Sequence, residues 1–148
     1  MVKRIFKWSL VIAFMVTIFI FSGEKAVESE QKSRLVIYIL NILGINVESA
    51  FGSLADFAVR KAAHFTEYFI LYMLLFNALY NDFNKKTSLF FSLLIVFLYA
   101  STDEYHQLFV QGRSGKFRDV LIDTSGGALG LLLMGFLAHR GKVLKKRG

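Results

Sequence analysis

The sequence predicts an all-α fold, a polytopic membrane helix bundle of four transmembrane helices with a short interfacial helix in the first outer loop. Three observations predict it. Apolar residues make up 55% of the 148 positions and cluster in blocks close to the roughly 20 residues needed to cross a bilayer. Proline is absent, so the spans are expected to run unkinked or to bend only at glycine. Ten of the 18 Lys and Arg residues but only one of the 11 acids fall on one side once the blocks are alternated across a membrane. A chain of this length is most simply one domain, residues 1–148.

The first span covers residues 5–22, uncharged apart from Lys7, behind Lys3 and Arg4. A cleaved signal peptide would place small residues at its end, where this chain has Ile20, Phe21 and Ser22. The segment is therefore expected to stay as a span. Residues 24–56 open with a charged run: Glu24, Lys25, Glu28, Glu30, Lys32 and Arg34. An apolar stretch from Leu35 to Ile45 follows, too short to cross and suited to the interface or to the bundle surface. Ser53 and Asp56 have capping-box spacing ahead of the second span, residues 60–80. Asp82, Lys85 and Lys86 lie in a short turn, and residues 88–107 and 120–138 form spans three and four.

Charge orients the bundle. With the N-terminus inside, the inner segments carry ten of the 18 Lys and Arg residues but only Asp82 of the 11 acids. Excess Lys and Arg marks the cytoplasmic side, so both termini are expected there. The net charge of +7 follows from this topology, and no separate basic region points to nucleic acid. The basic tail (Arg140, Lys142, Lys145, Lys146, Arg147) suits anionic lipid contact. Absence of cysteine excludes disulfides, thiolate metal sites and a Cys nucleophile.

The third block is uncharged only from Ser88 to Thr102, about 22 Å at 1.5 Å per residue. To cross a core of about 30 Å it must take in Asp103, Glu104, His106 and Gln107. Similar counting puts Lys61, His64 and Glu67 in the outer turns of span two, and Asp119 and Asp123 at the outer end of span four. Three segments thus bring ionisable groups to one depth, where facing one another or a wet cavity avoids the cost of facing lipid. Lys61, His64 and Tyr68 share a helical stripe. Gly126-x-x-x-Gly130 allows close helix approach, and Gly112-x-x-Gly115 suits a tight turn carrying Arg113, Lys116 and Arg118.

Arg60-Lys61-Ala-Ala-His64-Phe65-x-Glu67-Tyr68, Asp103-Glu104-x-x-Gln107, Gly112-Arg113-x-Gly115 and Asp119-Val-Leu-Ile-Asp123-Thr-x-Gly126 together resemble the VanZ-like family over residues 58–135. The resemblance implies a bacterial cell-envelope protein in the cytoplasmic membrane, in a family whose founding member is associated with teicoplanin resistance. The family often has Pro where Gln111 stands and Asn where Asp123 stands. The first difference loosens a turn; the second adds a negative charge or a titratable site.

Several chemistries fit these residues. His64, Glu67, Asp103 and Glu104 are candidates for acid/base work. Lys61, Gln107, Arg113, Asp119 and Asp123 are candidates for binding, with Arg113 suited to grip an anionic headgroup bidentately. His64, Glu67, Asp103 and His106 have the His/carboxylate spacing of helix-bundle metal sites. The bland reading is a hydrogen-bonded polar plug that fixes helix register. The expected partners are membrane lipids, among them an anionic envelope lipid, a peptidoglycan precursor or a glycopeptide. Alternatives are a non-catalytic interaction protein and a small proton-coupled transporter. No HExxH, phosphatase or Ser/His/Asp pattern assigns a reaction, and no cofactor is indicated.

Overall fold

The computed structural model describes residues 1–145, with side chains described through Leu137. The chain forms α1 (Val2–Ser22), α2 (Ala26–Ile42), α3 (Val47–Phe51), a 3₁₀ turn (Gly52–Leu54), α4 (Ala55–Leu79), α5 (Lys85–Gln107) and α6 (Phe117–Lys145), with no strand among the described residues. Four helical segments are long and apolar enough to cross a membrane: Val2–Ser22, Val47–Leu79, Lys85–Gln107 and Phe117–Leu137. The chain is a multi-pass helical membrane protein. The side chains of the basic tail lie outside the described residues.

α4 is the centre of the bundle, packing against α1, α2, α5 and α6. Tyr68, Leu71, Tyr72 and Leu75, spaced three and four apart, are at most 1% exposed and form its inward stripe. Val11 and Ile18 of α1 and Val96 and Ala100 of α5 complete the core. On the opposite faces Phe90, Leu98, Leu129 and Leu132 remain exposed, as lipid-facing side chains must.

The helix order alternates direction. At one end Arg4 pairs with Asp82 at 3.2 Å, Lys7 donates to the Asn81 side chain at 3.0 Å, and Lys85 donates to the Gly135 carbonyl at 3.2 Å. The start of α1, the α4–α5 turn and the later part of α6 therefore share one end. Asn84 caps α5, its side-chain oxygen accepting from the Thr87 N–H at 3.0 Å. α5 then runs unbroken to Gln107, so the polar residues after Thr102 belong to the span.

The first loop differs from the sequence expectation at two points. The charged run is helical: α2 begins at Ala26, nine residues before the apolar stretch at Leu35. Alternating charges supply helix-stabilising pairs there, with Arg34 on Glu30 four residues apart at 2.6 Å and Lys32 on Glu24. Ile37 seats α2 against Val47 and Ala55, while Leu35, Tyr38, Ile39 and Ile42 stay exposed. The capping box does not form: Leu54 stands at the N-cap of α4 without a side-chain cap. Gly52, at φ +53°, breaks α3, and the 3₁₀ turn feeds directly into α4, so the Ala55 N–H is already taken by the Gly52 carbonyl.

Candidate functional site

Three helices converge at the end of the bundle where α1 and α5 stop and α6 begins. α4 supplies Lys61, His64, Glu67 and Tyr68, α5 supplies Asp103, Glu104 and Gln107, and α6 supplies Asp119 and Asp123. The convergence depends on glycine. A Cβ at Gly126 would collide with the Phe65 carbonyl oxygen of α4, and one at Gly130 would lie 2.6 Å from the Tyr72 ring. Only hydrogen at these positions lets α6 lie directly on α4, and Gly126 is one turn from Asp123. Gly112, at φ +77°, turns the connecting loop in the left-handed region that glycine adopts without penalty. A Cβ on Gly115 would strike the Glu104 carbonyl, so the loop lies flat on the end of α5.

The site has two layers. In the layer nearer the bundle end, Lys61 pairs with Asp119 at 2.9 Å, their side chains 17% and 11% exposed. Glu104 Oε2 accepts the Lys116 backbone N–H at 3.0 Å. Arg113 Nε donates to the Glu24 carbonyl at 2.7 Å, and its Nη2 to the Phe21 carbonyl at 3.2 Å. Arg113 thus closes the C-terminal end of α1, where carbonyls lack intrahelical partners. Burial, and then the nearby positive charge of Arg60, lower its pKa. A guanidinium nevertheless remains charged, so an anion between these two arginines would be favoured.

Beneath this layer lie His64, Asp103 and Asp123, each offering a ligand-type atom within 4.8 Å of the others. Asp103 is 2% exposed and Asp123 is fully buried. Ser22, Gln107 and Tyr68 bring polar atoms near Asp103. Even so, neither oxygen of Asp103 or Asp123 receives a well-formed hydrogen bond among the described residues. Such groups are expensive to bury unpaired. Two ionised carboxylates at this separation would repel by about 3 kcal/mol at an effective dielectric near 20, so a proton or a cation must compensate them. Glu67 Oε2 lies 3.4 Å from His64 Nδ1. Gln107 donates to the Ser22 hydroxyl at 2.9 Å, tying the layer to α1. His106 turns aside and stacks on Phe19 at 4.3 Å. Of the four residues with metal-site spacing, His64 and Asp103 therefore share the buried locus, Glu67 borders it, and Asp123 joins them from a different helix.

Three neighbouring cavities with shared lining residues lie along the upper layer. The first, about 230 Å³, is lined by Arg60, Lys61, His64, Gln107, Arg113, Lys116 and Asp119, with Ser29 and Phe57 at its edge. It shares Ser29, Arg60, His64 and Arg113 with a second, about 280 Å³. That one in turn shares Phe21, Val36, Val59, Ala63 and Glu67 with an apolar groove between α1, α2 and α4, lined also by Phe14, Ile18, Leu40 and Ile70. Arg60 was present in the sequence motif without standing out as a site residue. Ser22, the last residue of α1, and Ser29, in α2, had no spacing relation to mark them.

A multi-pass membrane bundle with a polar site of this kind is the class the fold defines. The VanZ/LLP1 family model matches residues 7–138, and the chain belongs to that family. No curated protein and no solved structure matches the chain.

Proposed function

We propose that the protein binds an anionic envelope lipid, with the headgroup in the basic cavity and a hydrocarbon chain in the groove between α1, α2 and α4. The observation that carries this reading is the adjacency of the cavities, each sharing lining residues with the next. A polar chamber with Arg60, Lys61, Arg113 and Lys116 leads through shared walls into an apolar trough. A ligand with a charged head and an apolar tail matches both ends. Asp119 is the one acid lining the first cavity, and it is already paired with Lys61. Arg60 and Lys116 make no ion pair among the described residues, and their charges are available to a phosphate or carboxylate.

Excess positive charge in the segments at the opposite end of the bundle supports an orientation with this site at the outer leaflet of a bacterial cytoplasmic membrane. Lipids exposed there include peptidoglycan precursors on pyrophosphate carriers. Any effect on glycopeptide susceptibility would then act through the lipid that the site holds. His64, Glu67, Asp103 and Glu104 lie against or beneath the headgroup chamber, but no reaction is assigned to them. One specific observation favours a structural role for one residue: Arg113 spends two donors on the carbonyls of Phe21 in α1 and Glu24 just after it, so Arg60 is the better test of binding.

Native mass spectrometry of the detergent-solubilised protein tests this with three probes: a polyprenyl pyrophosphate, a zwitterionic phospholipid and a glycopeptide antibiotic. The expected result is preferential pyrophosphate-lipid binding, weakened about tenfold by Arg60→Ala, the loss of roughly one charge-assisted contact of 1.4 kcal/mol or more. Equal binding of the zwitterionic lipid, or an unchanged affinity in Arg60→Ala, would overturn the reading. Binding of the glycopeptide alone would replace it.

A further inference from the structure

We infer that His64, Asp103 and Asp123 form a binding site for one divalent transition-metal ion of the Mn²⁺ or Zn²⁺ kind, built between α4, α5 and α6. The inference goes beyond lipid binding and does not depend on it. Each of the three helices gives one ligand, so the site exists only in the folded bundle. Their donor atoms fall within 4.8 Å of one another. Ligands about 2.0–2.2 Å from a shared metal are separated by up to about twice that distance, so a small closure completes the set.

The second, independent observation is the state of the acids. Asp103 and Asp123 are 2% and 0% exposed, and neither oxygen of either receives a well-formed hydrogen bond among the described residues, although Ser22, Gln107 and Tyr68 bring polar atoms near Asp103. Lys61, whose charge acts on Asp123, is engaged with Asp119 at 2.9 Å. Arg113 is held on the Phe21 and Glu24 carbonyls at the end of α1 and just beyond it. Two buried carboxylates facing one imidazole therefore have no cation bonded to them among the described residues, and one divalent cation would neutralise both.

The donor set narrows the choice of metal. One imidazole with two carboxylates suits Zn²⁺ or Mn²⁺. Ca²⁺ requires six to eight oxygen ligands, which three side chains do not provide. Around the triad, Glu67 Oε2 lies 3.4 Å from His64 Nδ1 and can steady the ring, as carboxylates commonly do for ligating histidines. The Tyr68 hydroxyl is buried and free of a well-formed hydrogen bond. His64 also lines the basic cavity, so a bound ion would sit at the floor of that chamber.

The test uses the full-length protein purified in detergent, stripped with chelator and reloaded with Mn²⁺ or Zn²⁺ alone. Elemental analysis after desalting is expected to give close to one equivalent per chain. Asp123→Asn and His64→Ala should each reduce retention at least tenfold, and Asp82→Asn, at the opposite end of the bundle, should leave it unchanged. Because a ligand variant can fail to fold, the unaltered protein is also loaded with Mn²⁺ and read by pulsed electron paramagnetic resonance. A nitrogen coupling from a directly bound imidazole supports the site. Substoichiometric metal in the unaltered protein, a spectrum without nitrogen coupling, or equal retention in folded Asp123→Asn would overturn it.

Discussion

At the scale of single residues, side chains of similar type do different work. Lys61 and Asp119 form a pair that is mostly withdrawn from water, where removing one partner strands the other. Lys61→Met is expected to destabilise the protein by about 3 kcal/mol, read from thermal unfolding in detergent. The double variant Lys61→Met/Asp119→Leu should recover much of that loss; additive losses would show that the pair is not coupled. Arg113 is expected to tolerate lysine poorly. Its two bonds leave from different nitrogens toward the Glu24 and Phe21 carbonyls, and an ammonium cannot reproduce that fork. Arg113→Lys should lower the midpoint of unfolding almost as far as Arg113→Gln; full rescue by lysine would mean that charge alone matters. The sequence showed that these residues share a depth, because helical rise converts apolar length into position. It did not show which atoms meet. Asp123 facing His64 and Asp103, and His106 turning to Phe19, depend on the rotation of each helix about its axis, which interhelical packing sets.

At the scale of elements, glycine controls how closely α6 approaches α4. Gly126→Ala forces a Cβ against the Phe65 carbonyl oxygen, backbone that cannot move aside. A helix displaced there should lose stability and, with it, the register of Asp123. Gly135→Ala meets nothing within 4 Å and should be neutral or slightly stabilising, given that alanine is the better helix former by about 1 kcal/mol. Comparing the two by thermal unfolding isolates the close contact from helix propensity, and equal effects would refute it. The Gly126-x-x-x-Gly130 spacing made this approach legible in advance. The start of α2 was not legible, since a charged run without apolar periodicity reads as loop. Its helicity rests on ion pairs and on the anchor at Ile37. Ser53 misled for a related reason: a 3₁₀ turn entering α4 needs no hydroxyl cap.

At the scale of the whole molecule, the four apolar segments and their alternation were readable from length and charge. The cavities were not, because they arise between elements distant in sequence. The orientation can be tested directly, since the chain has no cysteine of its own. Glu48→Cys should react with a membrane-impermeant maleimide on intact cells, while Lys86→Cys should react only after lysis; the reverse pattern would invert the bundle and move the site to the cytoplasmic face.

The central claim is that the basic chamber and the apolar groove hold one lipid between them. The measurement that tests it most directly is mass spectrometry of lipids carried through purification from cells. The unaltered protein is expected to retain an anionic lipid that both Arg60→Ala, in the chamber, and Ala63→Trp, at the mouth of the groove, release. Retention of the same lipids at the same level by both folded variants would contradict it.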